Sequence, residues 1–200
     1  MARKSHWENT SRIETLVDGI FAIAMTLLVL NLDVPQLIEP VQDATLQGIL
    51  VGLGPKLFTY ALSFVLLAIF WRVNHGQYYY IKRLNTSLLW ITVIWLLFVA
   101  LVPFSTSLTG EYGYLTSAEV FFGLNLLLIG LFSALTWYYA TEKNLVGDEL
   151  SWKEIKRIRK LNLVLPIVSL IAILIALIAP SWSGMAYILI PIFLNIMGKD

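Results

Sequence analysis

Apolar residues gather into six segments along this chain. They run roughly from Ile13 to Val34, Leu46 to Trp71, Leu88 to Leu108, Ala118 to Tyr139, Leu163 to Ala179 and Met185 to Met197. Most approach the roughly 20 residues that an α-helix needs to cross a hydrocarbon core. The polar residues between them are sorted by charge. Basic residues occupy the N-terminus (Arg3, Lys4, Arg12), the second gap (Arg72, Lys82, Arg83), the fourth gap (Lys143, Lys153, Lys156, Arg157, Arg159, Lys160) and the C-terminus (Lys199). The first, third and fifth gaps have none, and Lys56, inside the second segment, is the exception. Cytoplasmic loops retain positive charge. The alternation therefore predicts an all-α integral membrane protein of six transmembrane helices, with both termini in the cytoplasm.

Local signals refine these elements. Ser11-Arg12-Ile13-Glu14 fits a capping box at the start of helix 1, and Ser151-Trp152-Lys153-Glu154 fits a second one. The second box predicts that residues 152–160 extend helix 5 into the cytoplasm. The first outer loop carries Pro35, Pro40 and the acids Asp33, Glu39 and Asp43. Helix 2 is expected to end at Trp71-Arg72-Val73-Asn74-His75, ahead of an aromatic inner loop with Tyr78, Tyr79 and Tyr80. Helix 3 carries Pro103 near its outer end, with Glu111 beyond it. Helix 4 closes on Trp137-Tyr138-Tyr139, an interfacial belt. Residues 180–184 read as a tight outer turn before helix 6.

Composition agrees with a membrane setting. The 200 residues are 58% hydrophobic, with a mean hydropathy of +0.75. Six spans and their loops use nearly the whole chain, so residues 1–200 are expected to form a single domain set in the lipid bilayer. The first segment is too long for a cleaved signal and lacks an A-x-A-like site, so it is expected to remain as helix 1. The net charge of +1 suggests no nucleic-acid partner. The absence of cysteine excludes disulfides and thiolate metal sites. There are two histidines and no P-loop, G-x-S-x-G or H-E-x-x-H pattern. No enzyme and no cofactor are expected. The T-V-G-Y-G filter of ordinary potassium channels is also absent.

Helix 1 holds the candidate site. At 100° per residue, Ile23, Leu27 and Leu30 fall within about 60° on one face, bordered by Thr26. Gly19 and Val34 continue the stripe. Periodicity alone leaves this face open to lipid, to a protein core or to a functional surface. Asp18 points to nearly the opposite side from Ile23. Ionisable groups at a membrane boundary are costly and usually paired. Trp71, Asn74 and His75 lie at matching depth on helix 2. Arg12, Asp18, Asn74, His75 and the Trp71 ring nitrogen are therefore expected to form a polar network. It would either staple helix 1 to helix 2 or contact an ion. Lys56 would snorkel outward or pair with an outer acid such as Asp43.

These residues resemble the transmembrane protein 175 family, potassium channels without a conventional filter. The family's R-x-x-x-F-S-D hallmark on helix 1 is similar to Arg12-Ile13-Glu14-Thr15-Leu16-Val17-Asp18, with Leu16 and Val17 replacing its Phe and Ser. The following run from Gly19 to Leu30 resembles the family's continuation. Further matches are Tyr60-Ala61-Leu62-Ser63-Phe64, Trp71-x-x-Asn74-His75, Pro103-Phe104-Ser105-Thr106 and Gly110-Glu111-Tyr112. The resemblance covers roughly residues 1–115. It implies a six-helix unit with helix 1 lining a central pore. One unit per chain implies a homotetramer in a prokaryotic inner (plasma) membrane. It also implies an aliphatic constriction at Ile23, with Leu27 and Leu30 above it and the Thr26 hydroxyl beside it. Potassium would be the permeant ion, passing near Ile23 and Thr26.

Two rivals remain at this stage. One is a small secondary transporter with Asp18 as coupling carboxylate, although the broken helices expected in two halves are missing. The other is a scaffold whose helix 1 packs in a protein core. The predicted orientation is testable because the chain has no cysteine. A cysteine at Ser181 should react with an impermeant thiol reagent in intact cells, and one at Ser5 should not. External labelling at Ser5 would overturn the topology.

Overall fold

The computed structural model describes residues 10–33, 42–191 and 193. Arg3, Lys4, Val34, Pro35, Glu39, Pro40, Lys199 and the last part of the sixth apolar segment, 194–197, lie outside the described residues. Eight α-helices are described: α1 (Thr10–Leu27), α2 (Asp43–Gly52), α3 (Gly54–Tyr80), α4 (Thr86–Ala100), α5 (Val102–Tyr112), α6 (Thr116–Glu142), α7 (Trp152–Leu161) and α8 (Val164–Ala176). Two 3-10 segments, Leu28–Asn31 and Pro180–Ile188, complete the list. Five stretches are long and apolar enough to cross a membrane: Thr10–Asn31, Gly54–Tyr80, Thr86–Tyr112, Thr116–Glu142 and Trp152–Ala176.

Several boundaries differ from the sequence expectation. Helix 1 begins at Thr10, so Ser11 lies inside its first turn rather than ahead of it. The second apolar segment is divided. Its start forms the separate helix α2, and Pro55 sits in the first turn of α3, where a missing N–H costs nothing. At the other end α3 runs on to Tyr80 instead of ending by His75. The three tyrosines therefore belong to a helix, not to a loop. The reason is partnership: Tyr78 is buried and its hydroxyl lies 2.8 Å from that of Thr92. Gln77 is also buried, and its amide donates to Asn162 at 2.9 Å and to Ser133 Oγ at 3.1 Å. A hydropathy count stops at such polar residues, whereas the backbone continues wherever they are paired. The third segment breaks at Leu101, ahead of Pro103, into α4 and α5. The second capping box is present: Ser151 and Glu154 exchange side-chain and backbone bonds, and α7 starts there. Residues 180–184 open a 3-10 run through Ile188 rather than a tight turn.

The core forms where α1, α3, α4, α6 and α8 meet. Val17, Phe21, Ala24 and Leu28 supply the α1 contribution at i, i+4, i+7 and i+11, one face of a helix. Phe21 meets Trp95 of α4 with ring centroids 5.4 Å apart. Trp95 is 1% exposed, and its indole donates to the Ile129 carbonyl of α6 at 3.1 Å. On the far side, α6 packs closely on α8. A Cβ added at Gly130 would stand 2.7 Å from Pro166 Cδ and 3.0 Å from the Leu165 side chain. Small residues permit such close approach between membrane helices.

The two ends of the bundle differ in character. At one end the segments after α3 and α6 pair directly: Ile81 and Val146 form an antiparallel bridge. Ile13, Tyr78, Ile81, Leu84, Leu88, Ala140 and Leu145 make a second apolar cluster there. The basic second and fourth gaps thus share one face of the molecule. The opposite end carries Asp33, Asp43, Glu111 and Glu119.

Gly130→Ala tests the α6–α8 contact. The added methyl meets a proline ring that cannot move aside, and overpacking of this kind costs about 1–3 kcal/mol. Thermal unfolding of the purified protein in detergent should show a lower midpoint; an unchanged midpoint would mean that the two helices are free to separate.

Candidate functional site

α1 has two apolar faces, and only one is used inside the chain. The buried face is the Val17–Leu28 stripe described above. On the other side, Ile23 is 59% exposed, Leu27 42% and Leu30 69%. Gly19, Ala22 and Thr26 are exposed with them. A core role for the Ile23 stripe within one chain is therefore overturned: its neighbours in the fold lie behind it. Phe21 and Ala24 take the core positions because they face Trp95 and α3.

Thr26 modifies this face. Its hydroxyl lies 3.0 Å from the Ala22 carbonyl and 2.8 Å from that of Ile23, donating back into its own helix. The oxygen is left as an acceptor on the exposed side. Such back-bonding bends helices, and α1 passes into 3-10 geometry two residues later. The C-terminal end is then fastened by Asn31, whose side chain donates to the Pro103 carbonyl at 3.0 Å. Pro103 lies at the break between α4 and α5. Sequence reasoning missed Asn31; a lone amide at the end of an apolar run, opposite a proline break, is the signal available for it.

Toward the N-terminal end of α1, Trp71 Nε1 donates to Asp18 Oδ1 at 2.7 Å. The Trp71 ring stacks on His75 with centroids 5.7 Å apart and planes 24° apart. Asn74 is buried beside them at 4% exposure, whereas Arg12 is exposed. Among the described residues, Asp18 bonds to Trp71, and neither Arg12 nor Asn74 is joined to it by a hydrogen bond. The bond ties α1 to α3 across 53 positions of sequence.

Lys56 has a different partner from the one expected. It forms an ion pair with Glu111, at the end of α5, and Asp43 is not its partner. Asn31, Asp33, Tyr60, Thr106, Ser107 and Gly110 line the same small polar recess. Glu111 therefore does not add an unopposed negative charge at this end. Buried behind the recess, Glu119 is hydrogen-bonded to Ser183, a link that the sequence did not suggest. Among the described residues, no three His, Asp or Glu side chains converge to hold a metal ion.

Residues 12–103 match the family described as "Endosomal/lysosomal potassium channel TMEM175". A potassium channel of Chamaesiphon minutus is 30% identical over 164 residues, which cover 80% of each protein. The chain belongs to the TMEM175 family. The fold agrees. The crystal structure of a lysosomal potassium-selective channel TMEM175 homolog from Chamaesiphon minutus superposes with a TM-score of 0.80 at 28% identity, over 94% of this chain and 97% of that one. A potassium channel of Streptomyces collinus is 34% identical over 106 residues. That alignment covers 52% of this chain and about half (48%) of the Streptomyces protein.

The Asp18–Trp71 bond makes a measurable prediction. Trp71→Phe keeps a ring against His75 and removes only the donor. A hydrogen bond to a charged group contributes about 1.5–3 kcal/mol when shielded; both residues are exposed in the single chain, so about 1 kcal/mol is expected. The thermal midpoint should fall, Asp18→Ala, which removes the acceptor, should lower it similarly, and the double variant should lose little more than either alone. Fully additive losses would mean that the two residues act independently.

Proposed function

We propose that this TMEM175-family protein is a potassium-selective cation channel of a prokaryotic plasma membrane. Four copies assemble around an axis lined by α1. Each copy is a single six-helix domain with both termini in the cytoplasm. Ile23 forms the narrowest ring, Leu27 and Leu30 form further rings above it, and Thr26 lies beside the ring. The observation that carries this reading is the bare aliphatic face of α1, opposite a face fully consumed by the core. The family membership and the potassium-channel names of its bacterial relatives support the ion.

The chemistry of such a pore follows from its lining. An aliphatic constriction repels water, so it gates by dewetting, and an ion must shed hydration to pass. Potassium holds its water less tightly than sodium, so the barrier favours it. The Thr26 oxygen, its proton spent on the helix backbone, offers an acceptor to a partly dehydrated cation. Asp33, at the outer end of α1, adds to the negative end of the helix dipole and draws cations toward the mouth. Asp18, Trp71 and His75, with Arg12 and Asn74 at the same depth, serve as the support that holds α1 in register.

Ile23→Asn tests the constriction. A polar ring lowers the cost of water and ion entry. Potassium flux into proteoliposomes should rise and the preference over sodium should fall. Val29→Asn, on another side of α1, should change neither. If Ile23→Asn leaves flux and preference unchanged in a folded assembly, α1 does not line the pore through this face.

A further inference from the structure

We propose that α7 is a binding surface for the phosphate headgroups of anionic phospholipids. Lys153, Lys156, Arg157 and Lys160 fall at i, i+3, i+4 and i+7, one stripe of the helix, and all four are exposed. The other side of α7 is pinned to α6. The Trp137 indole donates to the Ile155 carbonyl at 3.3 Å. Arg159 pairs with Glu142 at 3.2 Å and covers the Tyr138 ring at 4.9 Å. These contacts aim the basic stripe outward.

Three lysines, Lys153, Lys156 and Lys160, carry the stripe, while the charge of Arg157 is felt by Glu154. Glu154 caps the N-terminus through Ser151, and Glu142 is paired with Arg159. Asp148 and Glu149 lie in the turn ahead of the helix and are the remaining acids close in sequence.

A lipid, rather than a soluble anion, follows from the surroundings. α7 leads into α8 within one membrane-length stretch, Trp152–Ala176, so the stripe stands where a span meets water. Trp152 is 64% exposed with the Lys156 ammonium 5.7 Å from its ring centre, and Tyr138 is 50% exposed beneath Arg159. Amphipathic rings beside cations are the signature of headgroup level. Juxtamembrane cations in such a cluster attract anionic lipid, each by about fivefold in affinity. The inference does not depend on which face of α1 lines a pore.

The test uses the full-length protein in mixed micelles of phosphatidylglycerol and phosphatidylcholine, with retained lipid counted by native mass spectrometry. Wild type should enrich phosphatidylglycerol, and the enrichment should fall as sodium chloride is raised. Replacing the three lysines by Gln should reduce it by about fivefold or more, and replacing them by Arg should preserve it. Equal enrichment in wild type and the Gln variant would overturn the proposal. Should the Gln variant not fold, Lys156→Gln and Lys160→Gln singly must each lower enrichment, or the proposal fails. Displacement of the lipid by millimolar inorganic phosphate would also overturn it, since the surface would then take any phosphate.

Discussion

Trp95 is the contact on which the arrangement depends. In a bilayer the lipid tails are as apolar as the helices, so burial alone does not drive helices together. Specific packing and interhelical hydrogen bonds must do so. Trp95 provides both: its ring takes Phe21 of α1, and its N–H reaches across to the Ile129 carbonyl of α6. One side chain on α4 thus joins the helix that carries the candidate site to the helix that carries α8. The outward presentation of Ile23 follows from it, because once Phe21 and Ala24 are turned to Trp95 and α3, the opposite side of α1 has no neighbour in its own chain.

Polar pairs finish what the aromatic contact begins. Asp18–Trp71 holds one end of α1 to α3, and Asn31–Pro103 holds the other end to the α4–α5 break. Gln77 ties α3 to Ser133 and Asn162, and Thr106 donates to Ser63 between α5 and α3 at 2.8 Å. These are single hydrogen bonds at scattered depths, not a polar channel through the bundle. They fix register between helices whose aliphatic surfaces would otherwise slide.

Much of this was legible in the chain, and the failures have physical causes. The helical spans follow from runs of apolar residues, and the grouping of the even gaps follows from charge; the Ile81–Val146 bridge joins two of those gaps. Helix ends were less legible. Tyr78–Tyr80 are helical although the sequence reads there as a loop, because hydrogen-bond partners sustain the backbone, whereas the capping box at Ser151 made Trp152–Leu161 legible. The buried side of α1 could not be read, since Val17, Phe21, Ala24 and Leu28 are as apolar as Ile23, Leu27 and Leu30. Only the location of Trp95 distinguishes them. For Lys56 the kind of partner was legible but not its identity: Asp43 is nearer in sequence, but the start of α3 stands beside the end of α5, and the acid is Glu111.

The change of α1 into 3-10 geometry at Leu28 alters how its outer side chains stack. An α-helix advances about 1.5 Å and 100° per residue, so residues three apart are offset sideways. A 3-10 segment advances about 2.0 Å and 120°, which eclipses residues three apart. Leu30 therefore stands close to directly above Leu27, about 6 Å further along the axis, instead of spiralling away from it. The C-terminal end of α1 presents a straight leucine ladder with rungs about two water diameters apart. Any water column beside it would meet the same hydrocarbon wall twice in succession along a single line.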